Sequence, residues 1–216
     1  ENGSQEDVDF GLKVMRSWIQ KRRFPNGIFM SNRNRGHNNR DASNLGWAIS
    51  ELTRVSQALR AHGVDASEFE AAATQLVEVI LPGVREDGAL GSVWNGDTGE
   101  VVTYNGDGGG FMLMGLVRYW LATGDERLKP VIDNAFKYYY ESDINHFRCF
   151  GGAMDCASID KEGIHPFFTS AKLMYEATGD EIYLDYARKA AWYFVSWLYI
   201  QNPVYDADDD LTVLGI

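Results

Sequence analysis

The chain has 216 residues, 45% of them hydrophobic and 24% charged, which is the composition of one globular domain with a sizeable core. Its net charge of −11 excludes a nucleic-acid backbone as partner, because phosphates demand a basic face. No apolar run reaches the roughly 18 residues of a membrane span, so no membrane partner is expected either.

Taken in chain order, Val8, Leu12, Met15 and Ile19 fall on one face and predict a helix over about 6–22. The loop 23–43, FPNGIFMSNRNRGHNNRDASN, is rich in Asn and Arg. Its Arg33, Arg35, Arg40 and His37 could meet a carboxylated sugar, or simply keep the loop solvated. A helical hairpin is expected over 44–81, broken at Ala61-His62-Gly63, with Asp65 and Glu68 spaced as a capping box. In the loop 82–109, Asn95-Gly96 between Val93-Trp94 and Val101-Val102 predicts a small β-hairpin. It would project Trp94 or Tyr104 as a stacking platform for a sugar ring. Trp94 packed beneath the hairpin is the alternative. Further hairpins follow at 110–141 and 165–200.

The last two hairpins repeat one another. ATGDE stands at 122–126 and again at 177–181, 55 residues on. Gly124 and Gly179 read as helix C-caps, and Asp125 and Asp180 as N-caps of the next helix. The first helix of each hairpin is small or apolar all round, as in GGFMLMGLVRYWLATG, and should be buried. The second is amphipathic, as in DEIYLDYARKAAWYFVSWLY. An inner row of first helices and an outer row of second helices follows. All long loops then gather at the N-terminal ends of the inner helices, where function concentrates.

Alternating inner and outer helices, with long acidic loops bearing Trp and Gly before each inner helix, resemble the six-hairpin glycosidase superfamily. The resemblance implies an all-α fold, an (α/α)6 toroid built of helical hairpins. It also implies a carbohydrate-active protein, most often a glycoside hydrolase. About three and a half hairpins and a small β-hairpin are expected here, as a single partial domain over 1–216. A closed ring would need roughly 330 or more residues at this period, so a missing segment or a further chain would complete it.

Glycosidic cleavage in such a family needs two carboxyls on opposite sides of the bond. One repeat length carries Asp107, in GDGGGF, onto Glu162, in DKEGIHPFF. Both sit just ahead of an inner helix, and Asp41 is a looser third member of the set. The loop 142–164 adds Asp155 and Asp160, with Arg148 and His165 close by. Asp107, Glu162, Asp155 and Asp160 are therefore the catalytic candidates. Trp94, Tyr104, Arg148 and His165 are the candidates for substrate binding. Each acid equally suits the capping of a helix.

The expected partner is an oligo- or polysaccharide, with no cofactor and no metal. GDGGG lacks the lysine and spacing of a phosphate loop, and the acidic tail 206–213 lacks the glycine and final Glu of an EF-hand. A polysaccharide lyase acting on uronate polymers and a non-catalytic carbohydrate-binding or helical scaffold protein are the alternatives. Cys149 and Cys156 lie in one loop, and the sequence leaves their pairing open. The first residue is Glu1 rather than Met, so removal of a leader and a secreted or periplasmic location are expected.

Overall fold

The structure, a computed structural model, describes residues 4–29, 39–106, 108–149 and 161–198. Asp107, Asp155, Asp160, Cys156 and the acidic tail lie outside the described residues, as do Arg33, Arg35 and His37. Helix α1 (Gln5–Lys21) is followed by three hairpins: α2 (Ala42–Ala61) with α3 (Ser67–Ile80), α4 (Gly109–Thr123) with α5 (Leu128–Ser142), and α6 (Ile164–Thr178) with α7 (Glu181–Val195). Helix α2 packs on α4 and α4 on α6, while each also packs on the second helix of its own hairpin. The inner row is therefore α2-α4-α6 and the outer row α3-α5-α7, as the apolar patterning predicts. The fold is an open stretch of (α/α) toroid.

The inner row is tight because glycine lets backbones touch. A Cβ on Gly46 would lie 2.1 Å from the Phe111 carbonyl oxygen, and one on Gly115 would lie 2.7 Å from that of Gly46. Helices α2 and α4 thus meet without intervening side chains. Along α4 every residue from Gly109 to Val117 is buried, which is why its sequence carries no polar face.

The two ATGD turns fold alike. Gly124 and Gly179 both take φ +69°, the left-handed conformation that glycine adopts without strain. The hydroxyls of Thr123 and Thr178 donate to the carbonyls of Tyr119 and Met174, both at 2.8 Å. Asp180 caps α7 through the Ile182 N–H at 3.1 Å. Asp125 likewise accepts the Arg127 N–H at 3.2 Å, but α5 begins only at Leu128, with Arg127 at its N-cap. The Arg127 side chain folds back onto Asp125 instead of extending along the helix, with N···O 2.7 Å.

Two local expectations are corrected. Asp65 accepts the Ser67 N–H at 3.0 Å, but Glu68 does not close a capping box; it pairs with Arg16 of α1 at 2.7 Å. Helix α1 buries only Ile19 of the four residues expected on its face, and Val8 is exposed. It rests on the chain through Trp18, whose ring lies 4.6 Å from that of Phe29.

The β-hairpin is present and gains a third strand. β2 (Val93–Asn95) pairs antiparallel with β3 (Val101–Thr103) and also with β1 (Asn39–Asp41). At the turn the Asn95 side chain accepts the N–H groups of Asp97 and Thr98, and Gly99 takes φ +78°. Pairing with β1 anchors the loop 82–109 at the start of α2, which sequence period alone does not reveal.

Each outer helix ties down the loop that leads into its own inner partner. The Tyr139 hydroxyl on α5 accepts the Leu90 N–H at 3.0 Å and donates to the Leu90 carbonyl at 2.8 Å. The Tyr193 hydroxyl on α7 accepts the Cys149 N–H at 3.0 Å. On α3, Gln75 donates to the Pro25 carbonyl at 3.1 Å. The loops at the inner-helix starts are therefore held by the scaffold in all three hairpins.

Candidate functional site at the inner-helix mouth

The inner helices begin at Ala42, Gly109 and Ile164, and their first turns converge. Asp41 caps α2 through the Ser43 N–H at 2.7 Å and is 4% exposed. Helices α4 and α6 have Gly108 and Gly163 at the N-cap, which bring no side chain to the first turn. The mouth is left open for larger groups from the helices themselves.

Those groups are aromatic. Trp47 of α2 neighbours both Phe111 of α4 and His165 of α6. Its ring centroid is 6.3 Å from each, with planes 47° and 20° apart respectively. Trp47 is 39% exposed and His165 is also exposed, whereas Phe111 is buried. One residue from each inner helix thus builds a shelf with a broad apolar face and an imidazole edge. Such a surface suits the C–H face of a sugar ring, with the imidazole in reach of its hydroxyls. Glu162, exposed, stands just ahead of α6, one turn before His165.

The substrate-binding candidates divide. His165 joins the shelf. Trp94 does not; it is 1% exposed, and its indole N–H donates to the Gly91 carbonyl at 3.0 Å. The six-membered ring fills the space left by Gly83, where a Cβ would come within 2.5 Å of it. Trp94 is thus the packing residue under the hairpin and offers no open face. Tyr104 is half-buried; its hydroxyl donates to the Gly83 carbonyl at 2.9 Å, and the Arg85 guanidinium lies 4.8 Å from its ring centre. One ring face is therefore taken. Arg148 is exposed in the turn after α5, where its N–H donates to the Asp143 carbonyl at 3.0 Å and its charge lies near the Asp143 carboxyl. Of the catalytic candidates, only Glu162 falls within the described residues.

Trp47 is the residue that sequence reasoning passed over. A signal was present: Trp47, Glu51 and Arg54 recur at helical spacing along a helix whose other faces are small or apolar. That stripe is exposed or half-buried while Leu45, Ala48, Ile49 and Leu52 beside it are buried. On α4 the neighbouring positions are Phe111, which is buried, and Arg118, which is half-buried. Burial holds the Arg118 guanidinium below its ordinary pKa, the nearby Arg54 charge adds to this, and Glu51 opposes it. At the opposite end of α2 and α4 lies a cleft of about 450 Å³. Its Thr53, Ser56 and Thr123 hydroxyls already donate to helix carbonyls.

No protein-family model matches the chain, and no curated protein matches it in sequence. Solved structures match it in fold. D-mannose isomerase superposes with a TM-score of 0.62 at 14% identity, covering 88% of this chain and 51% of that one. A cellobiose 2-epimerase from Spirochaeta thermophila gives 0.62 at 12%, covering 90% and 55%. A family 105 glycoside hydrolase from C. acetobutylicum gives 0.65 at 13%, covering 92% and 60%. The fold of the chain is thus an (α/α) toroid of helical hairpins, as in these structures. The chain spans 51% to 60% of the length of these three structures.

Proposed function

We propose that this chain is the carbohydrate-handling part of a sugar-processing enzyme, and that a sugar ring lies on the Trp47–His165 shelf. The observation that carries this reading is the convergence of Trp47, Phe111 and His165 from three inner helices at one open mouth. Three structures of the same fold, a mannose isomerase, a cellobiose epimerase and a glycoside hydrolase, agree with a sugar ligand.

Within that class we propose a glycoside hydrolase first. Glu162 stands exposed at the mouth, and Asp107 precedes α4 in the chain as Glu162 precedes α6. One would act as general acid and the other as base or nucleophile. The exposed His165 favours a second reading. An imidazole can take a proton from a sugar carbon and return it, as isomerisation or epimerisation requires.

Product analysis separates the two. Aryl-glycosides, uronate polymers, mannose and cellobiose are each incubated with the chain. New reducing ends mark hydrolysis, whereas an isomer of unchanged mass marks isomerisation or epimerisation. For a hydrolase, Asp107→Asn and Glu162→Gln each lower turnover by about 10²-fold or more, and His165→Gln lowers it less. For an isomerase the order reverses. Full turnover of a processed sugar in all three variants sinks the assignment of these residues.

A further inference from the structure

Below the aromatic shelf, each of α2 and α4 carries an arginine. Arg54 lies seven residues after Trp47 on α2, and Arg118 seven after Phe111 on α4, a rise of about 10 Å in each helix. The contacts at Gly46 and Gly115 hold α2 and α4 at matching heights, so the two arginines come from facing positions. Long side chains on a helix lean toward its N-terminus, which carries both guanidiniums up toward the shelf.

Their partners differ. Arg54 Nη1 donates to both carboxylate oxygens of Glu51, at 3.1 and 2.9 Å. Arg118 Nε is buried and has no hydrogen-bond partner among the described residues. A buried charged donor without an acceptor is among the most unfavourable arrangements a fold retains, and it calls for an explanation. Two guanidiniums against one carboxylate also leave this patch net positive, in a chain whose overall charge is −11.

We propose that Arg118, with Arg54 beside it, is an anion subsite on the inner wall that takes the oxyanion substituent of a sugar whose ring lies on the Trp47–His165 shelf. The assignment rests on the carbohydrate reading above and narrows it to sugars bearing a carboxylate or phosphate. With no acceptor on its Nε among the described residues, the Arg118 side chain can turn its Nε–Nη edge outward. That edge forks onto two oxygens of one anion. Glu51 keeps Arg54 oriented and repels a second anion, so the subsite holds a single charged group.

Calorimetric titration of the 216-residue chain with glucuronate, glucose 6-phosphate, glucose and inorganic phosphate tests the subsite. At least one charged sugar is expected to bind about tenfold tighter than glucose, a gain of about 1.4 kcal/mol. Which of the two binds tighter tells carboxylate from phosphate. Arg118→Gln should bring the charged sugar down to the affinity of glucose and leave glucose binding intact. Arg118→Lys, which keeps the charge and loses the fork, should restore only part of the gap, and Glu51→Gln should widen it. Equal affinity for charged and neutral sugars overturns the subsite, as does a preference that survives Arg118→Gln in a variant with unchanged circular dichroism. If glucose binds, binds more weakly in Trp47→Ala, and no charge preference exists, the subsite fails and the carbohydrate reading stands. If phosphate binds through Arg118 and no sugar binds more tightly than phosphate, the subsite stands and the carbohydrate reading fails. Binding of none of the four probes overturns both.

Discussion

Gly46 of α2 and Gly115 of α4 bring two inner helices into direct backbone contact, and that contact sets Trp47 beside Phe111 at the mouth. A methyl group at Gly46 would sit 2.1 Å from the Phe111 carbonyl oxygen, far inside any real contact. The neighbour is helix backbone, which cannot step aside. Gly46→Ala is expected to destabilise the fold by about 3 kcal/mol, at the upper end of overpacking effects. For a domain of this size that lowers the melting temperature by roughly 6–12 °C. Gly11, which has open space around it, is the control: Gly11→Ala should hold or raise the melting temperature, since alanine is the better helix former. Equal melting for the two variants would refute the close-packing account.

Trp47→Ala should act on binding more than on folding. The ring is 39% exposed, so its removal leaves little buried surface to lose. A stacked ring contributes about 0.5–1.5 kcal/mol, which predicts sugar binding weaker by roughly two- to twelvefold. Quenching of tryptophan fluorescence by a bound sugar should diminish in the same variant. Trp94→Phe gives the opposite pattern, lower stability with sugar affinity retained, because Trp94 is buried and tied to the Gly91 carbonyl.

The tyrosine clamps are testable by removing one oxygen. Tyr139→Phe leaves the buried N–H and carbonyl of Leu90 without the hydroxyl that serves both. Tyr193→Phe removes the acceptor of the Cys149 N–H. Each should cost about 1–3 kcal/mol. Amide exchange should rise at Leu90 in the first variant and at Cys149 in the second. A global loss of protection with no local component would count against a clamp.

Asp143 gives the chain a pH dependence of known sign. Burial raises its carboxyl above the ordinary carboxylate range, more than the Ser142 hydroxyl and the charges of Arg148 and His146 lower it. A carboxyl raised on folding favours the native state while protonated, below the unfolded pKa near 3.8. That contribution is lost as pH rises through the folded value. Asp143→Asn should therefore raise the melting temperature at pH 7, with the gain shrinking toward pH 4. A gain that grows on acidification would reverse the assignment.

Much of the architecture was legible in the residues alone, and the legible part is local. Gly124 and Gly179 had to end their helices, because the left-handed cap suits glycine and the flanking Thr and Asp supply the hydrogen bonds of the turn. The apolar run from Gly109 to Val117 in α4 required burial on every side, and the amphipathic α5 and α7 required an outer place. Inner row, outer row and loops gathered at one end all follow from that. Exposure and partnership were decided by tertiary packing. Trp94 and Trp47 are the same residue type, yet β1 and the glycines at 83 and 91 bury the first, while the open mouth exposes the second. Arg118 shows the same limit: its buried Nε, without an acceptor among the described residues, depends on how α2 lies against α4. Periodicity says which way a side chain points; only contacts between residues distant in the chain determine what it meets there.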